Sequence, residues 1–162
     1  MITMTGTTLS KRLKIVLLGI AVCGILIYAF AIPQAGLALI ARYPEFSFWY
    51  VPWIVLLSLS GIPCYIALFL MWKITQSIQN GQAFTYQNAT RLKRIALLAQ
   101  IDAVFFVLGN LLFLLLGMNH PSVVLGSIGI AFVGEAIAVV CKALSVLTQK
   151  AADLQEQSDL TI

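Results

Sequence analysis

The stretch that decides the fold is IALLAQIDAVFFVLGNLLFLLL, which runs from Ile95 to Leu116. About 20 consecutive apolar residues are enough to cross the hydrocarbon core of a bilayer as a helix. The stretch therefore predicts a membrane-spanning helix, although Asp102 and Asn110 lie within it. Polar side chains in hydrocarbon are costly, so they normally face a partner, a cavity or a proton path. These two residues are therefore candidates for function.

The composition extends this reading to the whole chain. Sixty per cent of the 162 residues are hydrophobic and ten per cent are charged. A soluble domain is nearer about half apolar and about a quarter charged. We therefore expect an integral membrane protein of the all-α class, with residues 1–162 forming a single domain.

Three further apolar runs accompany the first, and together they predict a four-helix bundle in the membrane. Pro33 lies in the first run and is predicted to kink or end that helix. Pro63 lies in the middle of the second run, where a structural kink and a gating hinge are both open readings. The predicted spans cover about 15–40, 48–73, 95–117 and 122–147, with a central loop at 74–94 and a tail at 148–162.

Polar residues in the central loop predict where its flanking helices stop and start. Asn80-Gly81 is typical of a helix C-terminus, because glycine adopts the left-handed conformation that closes the last turn. Thr85 is a good N-cap for the next helix, because its hydroxyl can accept a bond from a free backbone N–H. Between them, Phe84 places an aromatic side chain in the loop.

The basic residues predict the orientation. With four spans, eight of the ten lysines and arginines fall on one side of the membrane, and this bias marks the cytoplasmic face. Both termini and the central loop are therefore predicted to be cytoplasmic in a multi-pass protein of the bacterial inner membrane. Direct nucleic-acid binding is not expected, because topology accounts for the net charge of +4. The eight residues are Lys11, Arg12, Lys14, Lys73, Arg91, Lys93, Arg94 and Lys150.

The fourth span carries two further polar residues, Glu135 and Lys142. If spans three and four form an antiparallel hairpin whose depth is set by the basic residues at its ends, Asp102 comes level with Lys142. Asn110 then comes level with Glu135, so one register predicts both pairs. Two roles remain open: hydrogen-bonded packing between helices, or a proton or cation path centred on Glu135.

The sequence does not predict an enzyme. Motifs of the types GxSxG and HExxH are absent, as are a phosphate-binding glycine loop and a paired Cys/His cluster. Cys23, Cys64 and Cys141 each lie in an apolar span and are interpreted as buried thiols. His120 stands alone in the break between spans three and four. No catalytic residue, metal site or cofactor is therefore expected.

Two short segments carry a family resemblance. They are Ile78-Gln-Asn-Gly-Gln-Ala-Phe84, followed by Asn88, and the ending Ser158-Asp-Leu-Thr-Ile162. With the mid-span Pro63, they resemble the small bacterial domain-of-unknown-function family 2975, also called YoaS-like. The resemblance implies a four-helix membrane fold without established catalytic residues. Such proteins are often encoded beside a small helix-turn-helix regulator, which implies a cytoplasmic protein partner.

These observations favour a membrane-bound binding or regulatory module in contact with the lipid bilayer. The expected partner site comprises Phe84 in the loop and Leu160 and Ile162 in the tail. The apolar tail end is expected to dock on this protein's own loop near Phe84 or on a partner, with terminal disorder as the alternative. The alternative function is a small transporter or channel subunit that uses an intramembrane carboxylate. Homo-oligomerisation stays open; the small residues of the fourth span are interpreted as the basis of helix packing in lipid.

Overall fold

The computed structural model describes the backbone of residues 2–159 and the side chains of residues 8–158, and all regular structure in that part of the chain is helical. Four helical segments are long and apolar enough to cross a membrane: Thr8–Arg42, Pro44–Gln79, Tyr86–Leu115 and Pro121–Ser158. The expected all-α, multi-pass architecture is therefore confirmed. The elements are α1 (Ile2–Leu26), a π-helical turn (Ile27–Ala31), α2 (Ile32–Arg42), a 3₁₀ segment (Pro44–Trp49), α3 (Tyr50–Gln79), α4 (Tyr86–Leu115) and α5 (Pro121–Asp159).

Most large apolar side chains of these segments are exposed on the outside of the helices. A water-soluble protein rarely exposes a contiguous apolar surface of this extent. Hydrocarbon tolerates it, so the helix surfaces match a lipid environment and the polar groups concentrate at the helix ends.

The first span runs through Pro33 to Arg42 without ending at the proline. A proline has no N–H to donate, and its ring crowds the carbonyl one turn earlier. The helix widens at this point into the π-helical turn, where the N–H of Ile32 bonds the carbonyl of Ile27. Pro63, by contrast, lies inside the continuous helix α3.

Both turns between the later spans are closed by a glycine with a left-handed backbone. Gly81 has a φ of 77° and Gly117 a φ of 72°, a region that L side chains rarely adopt. Thr85 caps α4, since its side chain accepts a hydrogen bond from the N–H of Asn88 at 3.2 Å. The predicted helix stop at Asn80-Gly81 and the predicted N-cap at Thr85 are confirmed.

The spans pack in chain order. Among the described residues, the backbone of α5 comes close to that of α4 alone, and α4 also approaches α3. The first span approaches α3 and the 3₁₀ segment that leads into it. The first and fourth spans therefore occupy the two outer positions of a series.

Neighbouring spans pack closely where a glycine, which has no side chain, leaves room for a large side chain of the other span. Each such place is called a glycine notch here. Three of these notches join the first and second spans, and each receives a tyrosine ring. A fourth joins the second and third spans and receives a leucine. The pairs are Gly24 with Tyr65, Gly61 with Tyr28, Gly36 with Tyr50, and Gly109 with Leu56.

The start of the first span, the α3–α4 turn and the end of α5 lie at one end of the molecule, here called the loop-and-tail end. Ser10 donates to the carbonyl oxygen of Thr75 at 3.3 Å, beside that turn. Tyr86 contacts Asp153 across the end of the α4–α5 pair. The placement agrees with an even number of crossings; that this end is cytoplasmic stays a prediction from the basic residues.

Candidate functional site

The turn at residues 80–85 is held by one buried amide, that of Asn88, which is 1% exposed. Its Nδ2 lies 2.9 Å from Ser77 Oγ, 3.0 Å from the carbonyl oxygen of Gln82 and 3.0 Å from that of Ala83. The two N–H bonds of Nδ2 thus serve three acceptors, one from the end of α3 and two from the turn itself. A single side chain therefore fixes the turn against the helix that precedes it.

Neighbouring groups fix the orientation of the same amide. Arg91 Nη1 donates to Asn88 Oδ1 at 2.9 Å. Ser77 Oγ donates to the carbonyl oxygen of Gln82 at 2.6 Å, so the serine oxygen accepts from Asn88. Every polar atom of the buried amide has a partner, as buried polar groups require.

Phe84 is the large apolar side chain on this turn, and 58% of its surface is exposed. Trp72 and Lys73 are the aromatic and basic residues that typically mark a membrane interface. Helix α3 continues from there to Gln79, which places the turn about 9 Å further out. Phe84 is therefore an exposed side chain on a fixed turn that follows the end of α3.

The C-terminal part of α5 lies against the start of α4 at the same end. The hydroxyl oxygen of Tyr86 lies 2.6 Å from Asp153 Oδ1 and 3.0 Å from Glu156 Oε2, and both carboxylates can accept its proton. One turn further into the pair, Ser145 Oγ donates to the carbonyl oxygen of Ala89 at 2.7 Å. Residues Leu160 and Ile162 lie outside the described residues, so their docking stays a prediction.

Within the spans, Asp102 faces α3. Cys64 Sγ donates to Asp102 Oδ2 at 3.9 Å, and Ser60, one helical turn earlier on α3, faces the same carboxyl group. The other carboxyl oxygen, Oδ1, is buried without a hydrogen-bond partner. The predicted pairing of Asp102 with Lys142 is wrong, because the Asp102 carboxyl group faces α3 and the hairpin register places Lys142 further along α5.

The second predicted pair, Asn110 with Glu135, is also wrong. Glu135 Oε1 accepts a hydrogen bond from Gln100 Nε2 at 2.8 Å. Asn110 is fully buried; its Nδ2 donates to the carbonyl oxygen of Phe106 at 2.9 Å, and its Oδ1 accepts from Asn119 Nδ2 at 3.1 Å. Asn110 therefore anchors the turn that follows α4.

Both errors come from the register of the α4–α5 hairpin. Since Gln100 contacts Glu135, Asp102, two residues further along α4, lies level with Val133. Lys142 is about nine residues further along, or roughly 13 Å at about 1.5 Å per residue. The short turn after Leu115 sets this register, whereas the prediction took it from the basic residues at the two outer ends.

Sequence reasoning missed the roles of Asn88, Tyr86 and Ser60. The role of Asn88 could have been predicted from the sequence, because an asparagine three residues after the N-cap Thr85 can reach back to bond the turn. Tyr86 and Ser60 carry no comparable signal, since their partners are distant in sequence.

The fold and these sites define a small four-span membrane protein in which buried asparagines hold both the α3–α4 turn and the α4–α5 turn. The chain belongs to the family described as "Protein of unknown function (DUF2975)", whose model matches residues 34–162. It is similar to the "Uncharacterized membrane protein YoaS" of Bacillus subtilis (strain 168), with 26% identity over 160 residues that cover 96% of this chain and 98% of the relative. No solved structure matches it. The family resemblance read from the turn and tail motifs is confirmed.

Proposed function

We propose that the protein is a membrane-bound docking module, which binds a soluble partner protein through the turn at the loop-and-tail end. The observation that carries the proposal is the exposed ring of Phe84 on a turn that the buried Asn88 holds fixed. The proposed activity is binding and includes no catalytic step.

A fixed, exposed aromatic side chain is well suited to recognition. Ordering a mobile loop on binding costs free energy, and a turn that is already ordered avoids much of that cost. Phenylalanine is enriched at protein interfaces relative to the rest of the surface. Phe84 would therefore act as the anchor of the contact.

The setting of Phe84 favours a protein partner over lipid. The turn stands about 9 Å beyond the Trp72–Lys73 level, so the ring would have to fold back to reach the interface. Arg91, Lys93 and Arg94 follow the turn on the first part of α4. A complementary partner would thus offer an apolar pocket with acidic residues around it. Given the predicted orientation, that partner is cytoplasmic, and a small helix-turn-helix regulator is the class that the family resemblance implies.

The test is site-specific photo-crosslinking in cells, with the crosslinking residue placed at Phe84. We expect a protein adduct of one discrete mass, whose partner is then purified and titrated against the protein in nanodiscs. Phe84→Ala should weaken that binding about tenfold or more, as expected for an anchor residue. Phe48→Ala is the matched control, because Phe48 is an exposed phenylalanine at the opposite end. Adducts with lipid alone, or equal affinity for the two variants, would refute the proposal.

A second function is favoured by Asp102. A buried carboxyl oxygen without a partner at the contact of two spans is the kind of group that marks an ion or proton path. In this alternative the protein is a small transporter or channel subunit, and the carboxylate it uses is Asp102; Glu135 is exposed and bonded to Gln100. Proteoliposome flux of protons and monovalent cations tests it. Asp102→Asn should abolish the flux and Glu135→Gln should preserve it; the absence of flux in the unmodified protein would exclude this function.

A further inference from the structure

A pocket of about 390 Å³ opens at the end of the molecule opposite the loop-and-tail end. It lies between α2 and the turn that joins α4 to α5, and the beginning of α3 contributes to its wall. Four aromatic side chains line it: Phe46, Trp49, Tyr50 and Trp53. Its volume falls within the roughly 300–1,000 Å³ range of small-molecule sites.

These aromatic residues differ from an ordinary interfacial belt. Phe48 belongs to the same segment and is 83% exposed, as a ring in contact with lipid would be. The four rings that line the pocket are each only partly exposed. An interfacial aromatic belt explains why Phe48 is exposed. It does not explain why the four neighbouring rings line the same pocket.

Contacts with the rest of the molecule hold the rings in place. Phe46 and Trp49 stack with their ring centroids 5.1 Å apart. Trp53 Nε1 donates to the carbonyl oxygen of Met118 at 3.3 Å, and the Trp53 ring packs edge-on against Phe113 at 5.2 Å. The pocket is thus formed before any ligand arrives.

The chemistry of the lining indicates the ligand. Neither lysine nor arginine occurs among the lining residues, so no lining side chain carries a fixed positive charge that would repel a cation. The imidazole of His120 is engaged through Nδ1 with Ser122 Oγ at 2.8 Å. Aromatic faces attract cations through the ring quadrupole, and several rings around one space are the usual recognition device for quaternary ammonium groups.

We propose that this pocket binds an organic cation of the tertiary or quaternary ammonium class. The site is separate from the turn of Phe84 and from Asp102, so it stands or falls independently of the docking function. The ammonium group would lie among the rings, and its apolar substituents would contact the aliphatic side chains of α2 at the pocket edge.

The experiment measures tryptophan fluorescence of the full chain in lipid vesicles, in a Trp72→Phe background so that only the two pocket tryptophans report. Phenyltrimethylammonium is the probe, and tert-butylbenzene is its neutral isostere, compared at equal free concentrations. We expect saturable quenching by the cation, with an affinity about two- to thirtyfold higher than that of the isostere. Equal or tighter binding of the isostere would show a neutral apolar site and overturn the proposal, as would no saturable response to the cation.

Variants distinguish binding of the cation in the pocket from its partitioning into the bilayer. Trp49→Leu keeps an apolar side chain and removes the ring, so affinity for the cation should fall by a similar factor. Phe48→Leu is the control and should leave it unchanged. Phe46→Leu repeats the test if Trp49→Leu does not fold, as judged by helical circular dichroism and gel filtration. Equal affinities for the pocket variants and the control would also overturn the proposal.

Discussion

The hydroxyl of Tyr65 packs so closely against Gly24 that it would clash with the first side-chain carbon of any larger residue at that position. A Cβ built on Gly24 would be 2.6 Å from Tyr65 Oη and 3.3 Å from its Cζ. The same hydroxyl donates to the carbonyl oxygen of Ala21 at 3.2 Å. The first and second spans are therefore joined by a ring seated in a notch of the helix backbone.

The notch predicts a strong effect of one methyl group. In Gly24→Ala, Tyr65 must move and lose its bond to Ala21, so we expect the free energy of unfolding to fall by about 1–3 kcal/mol. Gly19→Ala, on the same helix with nothing within 4 Å of its would-be Cβ, should leave the free energy of unfolding unchanged or raise it by up to about 1 kcal/mol, because alanine favours a helix more than glycine does. Thermal unfolding in nanodiscs measures both. Similar values for the two variants would show that the notch does not hold the spans together.

The hairpin register predicts which engineered cysteines form a disulfide. A Cβ at position 134 would lie 3.6 Å from the Cβ of Ala103, within the roughly 3.5–4.5 Å range of disulfides. Ala103→Cys with Gly134→Cys should therefore oxidise readily, and Asp102→Cys with Lys142→Cys should not. Mild oxidation followed by mass spectrometry is the measurement, in a background in which Cys23, Cys64 and Cys141 are replaced by alanine. The reverse pattern would restore the register predicted from the charges.

Removing the amide of Asn88 should release the turn. In Asn88→Ala, the groups that the Asn88 amide bonds lose their hydrogen-bond partner. Each buried group left unsatisfied lowers the free energy of unfolding by about 1–3 kcal/mol. We expect limited proteolysis in nanodiscs to cut residues 80–85 several times faster. Gln87→Ala is the control, since Gln87 is the exposed neighbour. Equal cleavage rates would mean that other contacts hold the turn.

The orientation is tested by labelling single cysteines from either side of the membrane in cells. Gln82→Cys should react only after the cytoplasmic side is made accessible, and Asn119→Cys should react with an impermeant reagent from outside. We expect this result because the loop-and-tail end carries an excess of lysine and arginine, which marks the cytoplasmic side of a membrane protein. Labelling of position 82 from outside would invert the topology and move the proposed partner to the other side.

Features that depend on neighbouring residues could be predicted from the sequence. The spans follow from runs of apolar residues, and the helix stop at Gly81 and the N-cap at Thr85 follow from local backbone chemistry. The family resemblance also used short local motifs around Phe84. These predictions succeed because each depends on a few consecutive positions.

Features that depend on how two helices align were harder to predict. The pairing of Asp102 with Lys142 assumes that the basic residues at the two ends of the hairpin lie at equal depth. Helix α5 runs on to Asp159, well past the level of the first basic residues of α4, so that assumption fails. The turn closed by Gly117 was visible in the sequence and would have been the better reference.

The aromatic pocket could not be predicted for a related reason. Phe46, Trp49 and Trp53 are indistinguishable from belt residues such as Phe48 until the helix directions are known. Only the arrangement of α2 against the turn that follows α4 separates the rings that line a space from those that meet lipid.

The serial packing of the spans has a consequence for biogenesis. Each span contacts the span made just before it, and within residues 2–159 the backbones of the outermost two do not come into contact. A newly inserted helix can therefore dock as soon as it leaves the translocon, without waiting for a later segment to close a ring. Assemblies dominated by such short-range contacts form quickly, because little loop entropy is lost at each step. A ribosome paused after the third span would leave behind an intermediate with native contacts, and the fourth would only have to fold back along α4.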